Sequence, residues 1–201
     1  MFKALVFDLG GVLVELAAID EVLGIAIDRE GQKALWRYWL TSPVVRRFET
    51  GQSSLDEFID DLTADLNLTA CKEHLLRNHR GWTKRAYPGV HELLNRLHGK
   101  YILASLSNNN PVHWPIMMNE FALEKHFDYH FPSHKTGLIK PDQAAYRNVI
   151  ETLAVAPEQI LFVDDNSLNV EAATEAGMQA HLTKGFDELK ALLVEQLKLI
   201  H

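Results

Sequence analysis

The feature that most constrains this chain is its opening run. Phe2-Lys3-Ala4-Leu5-Val6-Phe7 is short, apolar and followed by turn residues, the pattern of a strand buried on both faces of a parallel sheet. It passes directly into Asp8-Leu9-Gly10-Gly11-Val12-Leu13. A carboxylate at the C-terminal edge of such a strand stands where open α/β sheets bind their ligands. The glycines after it, Gly10 and Gly11, let backbone amides close around a small anion. A strand that ends in Asp also has a plain reading as a turn, so the weight falls on later segments that meet Asp8.

From about Leu16 to Tyr87 the sequence reads as helices. Ile19, Val22, Leu23 and Ile27 share a helical spacing, and Ala34, Leu35, Tyr38 and Trp39 form a second apolar stripe. Ser54 and Glu57 make a capping box before Phe58, Ile59 and Leu62. Tyr87-Pro88-Gly89 is punctuation. Beyond it strands and helices alternate: a strand over 101–107, helix over 114–125, a short strand at 129–131, then a strand at 160–163, a helix that Gly177 ends, a strand over 179–182 and a terminal helix over 186–200. Pro141 is placed to take the first position of the helix after Lys140. The alternation predicts an α/β, doubly wound (Rossmann-like) fold: a five-stranded parallel sheet with a helical cap inserted after the first strand. The α/β body is expected to comprise residues 1–15 and 88–201, and the cap residues 16–87.

Composition narrows the partners. A formal net charge of -7 argues against a nucleic-acid backbone, though not against a small phosphorylated molecule held by a metal and local cations. The single cysteine, Cys71, forms no intrachain disulfide and reads as the start of a surface helix, which fits a reducing, cytoplasmic setting. The opening core strand predicts no signal peptide, and no apolar run approaches the ~18 residues of a membrane span. Monomer and homodimer both stay open.

Parallel strands deliver their C-terminal ends to one rim. Asp8, Ser107 with Asn108, Lys140, and Asp164 with Asp165 should therefore converge. These types suit phosphoryl transfer. Asp8 and Asp165 offer hard oxygen ligands for Mg²⁺. Lys140 and the metal would offset charge on the phosphoryl oxygens, and the Ser107 hydroxyl and Asn108 amide would donate to them. Asp8 would attack phosphorus and form an aspartyl-phosphate.

The segments Phe7-Asp8-Leu9-Gly10-Gly11-Val12-Leu13, Leu106-Ser107-Asn108, Gly137-Leu138-Ile139-Lys140-Pro141-Asp142 and Phe162-Val163-Asp164-Asp165-Asn166 resemble, in order, the four motifs of the haloacid dehalogenase superfamily. The resemblance spans essentially the whole chain, and bacterial sugar-phosphate (glucose-1-phosphate) phosphatases and the N-terminal domain of soluble epoxide hydrolases look closest. It implies that Asp8 is nucleophile and metal ligand, that Ser107 and Asn108 bind phosphate, and that Lys140 binds phosphate and positions Asp8. It further implies that Asp165 is the main metal ligand with Asp164 beside it, and that Asn169 stands one step behind the ligands.

One position departs from the pattern. Phosphatases of the superfamily usually carry a second Asp two residues after the nucleophile, which protonates the leaving group and later activates water, whereas the glucose-1-phosphate phosphatases resemble this chain in having Gly there. Here that residue is Gly10, whose carbonyl still reaches a metal but which has no acid-base side chain. General acid-base help is worth ~10²–10⁴-fold. Glu15, at the junction with the cap, is one substitute, acting through water on cap closure; a hinge or helix-start carboxylate is its bland reading. The rivals to a phosphatase are a 2-haloacid dehalogenase-type hydrolase, for which a metal pair has no job, and a weak or inactive phosphate-binding homologue. In the cap, Trp39, Arg46, Arg47 and Trp82 are candidates to line the substrate cleft, and His113 and Trp114 to touch substrate. Trp36 and Trp39 serve equally as an interface or a cap core.

Overall fold

The computed structural model describes residues 1–200. In chain order its elements are β1 (Ala4–Phe7), β2 (Val14–Leu16), α1 (Ile19–Leu23), α2 (Arg29–Thr41), α3 (Pro43–Glu49), α4 (Leu55–Leu66), α5 (Lys72–Arg80), β3 (Thr83–Ala86) and α6 (Val90–Leu97). There follow β4 (Ile102–Ser107), α7 (His113–Pro115), β5 (Tyr129–Pro132), α8 (Ser133–Thr136), α9 (Gln143–Leu153), β6 (Ile160–Asp164), α10 (Ser167–Glu175), β7 (Gln179–Leu182) and α11 (Gly185–Ala191).

All of β1 is fully buried. Its side chains alternate between two cores, as strand geometry requires. Leu5 and Phe7 join Leu103, Leu161 and Val163 under α6 and α11. Ala4 and Val6 join Ala104, Ile160 and Phe162 under α9 and α10. Covering both faces is what lets a parallel sheet be apolar throughout. The strand order is β5-β4-β1-β6-β7, and every adjacent pair is parallel. Connections leave β1 first toward β4 and β5, later toward β6 and β7. The crevice between β1 and β6 is therefore the topological switch point where such sheets bind ligands.

The cap follows β1 as expected. Its core is a separate cluster containing Ile19, Val22, Phe48, Phe58, Leu62 and Trp82. Phe48 and Phe58 stack at 4.3 Å, and Trp39 meets Trp82 edge-on at 4.7 Å. The capping box of α4 is formed on both sides: Glu57 N–H donates to Ser54 Oγ, and Ser54 N–H donates to the Glu57 carboxylate.

Several elements differ from the sequence reading. The cap is joined to the sheet by a two-stranded antiparallel neck, with Val14 opposite Ala86 and Glu15 opposite Arg85. Only three or four residues long and half charged, these strands carry too little alternation to be read. Ile27 lies beyond α1, which Gly24 closes in the left-handed region. The 114–125 helix breaks into α7, a π-helical turn at Ile116–Glu120 and a 3₁₀ turn at Glu124–His126. The terminal helix likewise passes into a π-helical turn at Leu192–Gln196. Pro141 does not take a first helical position: the Lys140–Pro141 peptide is cis, and α9 begins at Gln143 after Asp142.

Candidate active site

β1 and β6 end side by side, with Phe7 opposite Val163. Asp8 follows β1, its N–H donating to Val163 O. The loop between α8 and α9 brings in Lys140, whose Nζ lies 2.9 Å from Asp8 Oδ1 and 2.6 Å from Asp164 Oδ2. Its side chain is 1% exposed, so its charge is answered by those two carboxylates rather than by water. Burial alone would lower the Lys140 pKa, but Asp164 and Asp8 outweigh it and hold the ammonium above the ordinary lysine value.

Asp164 is fully buried. One of its oxygens accepts from Asn166 N–H and Asn169 Nδ2, the other from Asn169 Nδ2 and Lys140. Tyr146 fixes the loop in turn by donating to the Asn169 carbonyl. Asp165 is half-exposed and faces the crevice. Its Oδ2 sits 2.2 Å from where a Cβ on Gly11 would be, so that approach exists only because residue 11 is glycine. Carboxylate oxygens of Asp8, Asp164 and Asp165 all lie within 4.8 Å of one another. Crowding three acids, two of them buried, around one lysine leaves negative charge over. Burial, with the neighbouring acids, pushes Asp8 up to about 7 and Asp165 up to about 6. Hard oxygen donors in this arrangement fit a divalent cation such as Mg²⁺.

Asn108 lines the cavity and also braces Lys140. Its side-chain amide donates to Lys140 O and accepts from Lys140 N–H, both at 2.9 Å. With its oxygen and one amide hydrogen engaged in this way, the side chain clamps the Lys140 backbone, and the second amide hydrogen stays free at the cavity. Ser107 is buried and lines the cavity, its Oγ loosely accepting from Asn109 Nδ2 at 3.4 Å. Gly10 also lines the cavity. A side chain there would press on Leu16, whose Cδ1 would stand 3.0 Å from its Cβ.

The cap roofs this rim over a cavity of about 470 Å³. Its walls include Trp36, Trp39, Val45, Trp82, Met117 and Ile139, with Asp8, Ser107 and Asp165 at the floor. Arg46 reaches it and forms an ion pair across the cleft with Asp142; Arg47 instead pairs with Asp61 within the cap. His113 lines the cavity, but Nε2 contacts His79 O and Nδ1 contacts Asn110 Nδ2. Trp114 packs in the body's core. Glu15 is not among the cavity residues: it pairs with Arg85 across the neck at 2.8 Å. Trp39 belongs to the cap core, whereas Trp36 is 41% exposed.

The residue that sequence reasoning missed is Glu49, the last of α3. It lines the same cavity as Asp8, and its Oε1 accepts from Trp39 Nε1 at 3.3 Å. A signal was present. Glu49 is four residues after the buried Val45, so it shares that inward face.

The family described as haloacid dehalogenase-like hydrolase matches residues 2–177. A D-ribitol-5-phosphate phosphatase of Bacteroides thetaiotaomicron is 30% identical over 89% of this chain and 90% of its own length. A phosphoglycolate phosphatase of Pseudomonas putida is 27% identical over 98% of this chain and 75% of its own. Among solved structures, a HAD-family enzyme of B. thetaiotaomicron, in complex with magnesium and inorganic phosphate, superposes with a TM-score of 0.72 at 23% identity, covering 92% of this chain and 95% of that one. The L-2-haloacid dehalogenase of Xanthobacter autotrophicus gives a TM-score of 0.66 at 23% identity, covering 91% and 78%.

Proposed function

The chain belongs to the haloacid dehalogenase-like hydrolases, and from that premise we propose that it is a Mg²⁺-dependent phosphomonoesterase acting on a small phosphorylated metabolite, with sugar phosphates the leading class. The observation that carries this reading is the group of Asp8, Lys140, Asp164 and Asp165 at one sheet rim. A dehalogenase attacking carbon has no use for three clustered acids. Relatives named as phosphatases of small phosphorylated molecules support the same reading.

Asp8 and Asp165 would hold the metal, with the Gly10 carbonyl and Asp164 in reach. The bound ion supplies positive charge that offsets the phosphoryl oxygens. The remaining work belongs to the chain. Lys140 keeps Asp8 oriented and contributes a second cation at the phosphoryl oxygens, and Ser107 donates its hydroxyl to them. Asn108 holds the Lys140 backbone in place. The Asp8 carboxylate attacks phosphorus in line, the ester oxygen leaves, and water then releases phosphate from Asp8. The cap, latched by Arg46 and Asp142, closes the cavity against bulk water.

The test is phosphate release from a generic aryl phosphate, with Mg²⁺ and with chelator, for the native chain and Asp8→Asn. Release that requires Mg²⁺ and is lost in Asp8→Asn is expected. Metal-independent release that survives Asp8→Asn refutes the mechanism, and halide release from a 2-haloacid in its place refutes the reaction class.

A further inference from the structure

We propose that Glu49, supplied by the cap, is the general acid and base of this site, standing in for the side chain that Gly10 lacks. The proposal rests on the phosphomonoesterase reading above. Its ground is a comparison of the proton-carrying side chains that reach the cavity. Asp8 and Asp165 belong to the acidic floor. Asp142 is tied to Arg46. Both ring nitrogens of His113 are engaged. Glu15 faces Arg85 on the neck. Glu49 is left, a carboxyl on the cavity wall that forms no ion pair and accepts a hydrogen bond only from Trp39 Nε1 among the described residues.

Its placement is fixed from both sides of the cleft. On the cap side, Trp39 holds Oε1. On the body side, Ser133 Oγ donates to the Glu49 carbonyl and accepts from Asn109 N–H, in the turn that follows Ser107. The Glu49 backbone is thus tied to the loop that follows Ser107, and its carboxyl to Trp39. The groups that face it are Trp39, Lys140 and Asp8. Burial outweighs the lowering by Trp39 and Lys140 and holds Glu49 up at about 7. The acid form is therefore populated near neutrality, the condition a general acid needs. Position 10 is the complementary fact: it carries no acid of its own, and a side chain placed there would have to displace only the end of Leu16.

Protons balance over the cycle. As Asp8 Oδ bonds to phosphorus, the bond from phosphorus to the ester oxygen breaks. The electron pair stays on that oxygen, which takes the Glu49 proton and departs as an alcohol. The Glu49 carboxylate then takes a proton from water as the water oxygen bonds to phosphorus. The bond from phosphorus to Asp8 breaks, freeing Asp8 and phosphate, and Glu49 is protonated again.

The experiment compares kcat/KM for nitrophenyl phosphate, whose leaving group needs little protonation, with phenyl phosphate, which is close in shape but has a poor leaving group. It is run once the native chain has shown Mg²⁺-dependent release that Asp8→Asn abolishes, so failure of the phosphatase reading is seen separately. Glu49→Gln keeps an acceptor for Trp39. It is expected to lose ~10²–10⁴-fold on phenyl phosphate, and at least tenfold less on nitrophenyl phosphate. Adding Gly10→Asp to Glu49→Gln is expected to recover part of the phenyl phosphate rate. Equal losses on the two esters, or no loss on either, overturn the proposal. Should Glu49→Gln fail to fold, Glu49→Asp replaces it: a carboxyl one methylene shorter is expected to lose rate on phenyl phosphate and much less on nitrophenyl phosphate, and equal losses or none overturn the proposal.

Discussion

Adjacent glycines after Asp8 have different reasons for being glycine, and Gly11→Ala exposes the difference. Gly11 has φ +73°, where an L side chain costs roughly 1–2 kcal/mol. The added Cβ would stand 2.2 Å from Asp165 Oδ2, more than an ångström inside ordinary contact. The backbone cannot yield easily. Gly11 N–H donates to Val14 O at 2.9 Å, and Gly11 O accepts from Gly185 N–H at 2.7 Å. The Asp165 carboxylate must therefore swing away, which removes an oxygen from the proposed metal site. Losing a mere supporting partner of a metal ligand costs about 10–100-fold in affinity, and displacing the ligand should cost at least that. Calorimetric titration with Mg²⁺ measures it, and urea unfolding measures the backbone strain separately. Gly10→Ala is the comparison: residue 10 is not in the left-handed region, and its Cβ meets only the flexible end of Leu16. It should weaken Mg²⁺ binding far less. A Gly11→Ala chain that binds Mg²⁺ as tightly as the native one would refute the placement of Asp165.

Lys140→Met strands two buried carboxylates. At pH 8 it should cost about 3–5 kcal/mol in urea unfolding without metal, the usual result of breaking a buried pair. The loss should shrink toward pH 5, because Asp8, which burial already pushes up, would without the lysine fold with a raised pKa, and the stability of its protonated form is lost only as pH rises. A loss independent of pH counts against the ion-pair account. In the cap, His79 packs at tilted and edge-on angles among Phe48, Phe58 and Trp82, with Nε2 lacking a hydrogen-bond partner among the described residues. Burial, then His113 and Arg80, hold its pKa well below 6.5. A depressed folded value means stability that is present above 6.5 and lost as pH falls below it. His79→Leu should therefore gain on the native chain by up to about 1.4 kcal/mol per pH unit of acidification below that point. Parallel pH profiles of the two unfolding midpoints would show that His79 is not kept neutral by folding.

How much the sequence disclosed depended on whether a signal was periodic. The sheet was legible because Ala4–Phe7 and Ile160–Val163 are unbroken apolar runs ending in acids. The cap helices were legible from their stripes and from the Ser54–Glu57 box. The neck was not, since Val14–Leu16 and Thr83–Ala86 pair across a long intervening stretch and show too little alternation. At the rim, residue types at the C-terminal edge of the sheet pointed to Asp8, Lys140 and Asp164, whose side chains meet there. Finer assignments needed coordinates. Asn108 and Asp164 present the same donors and acceptors whether they face a ligand or Lys140, and only the fold decides. Glu15 looked like the spare acid because it is near Asp8 in sequence. Glu49 is the one in the cavity because α3 folds back over the sheet.

The neck also determines how separable the two halves of the molecule are. Val14 and Ala86 are cross-strand neighbours, so the chain leaves the sheet and returns to it at almost one point. To the α/β body, the whole helical layer is a closed loop, and the entropic cost of closing a loop rises by only about 0.6 kcal/mol per doubling of its length. The body should be nearly indifferent to what the loop contains. Helices between Leu16 and Thr83 can be exchanged, enlarged or replaced by a tight turn with little strain on β1, β4 and β6. The same insertion point carries Glu49 to the cavity, so a new cap would redraw the substrate and, on the proposal above, would also have to bring its own acid.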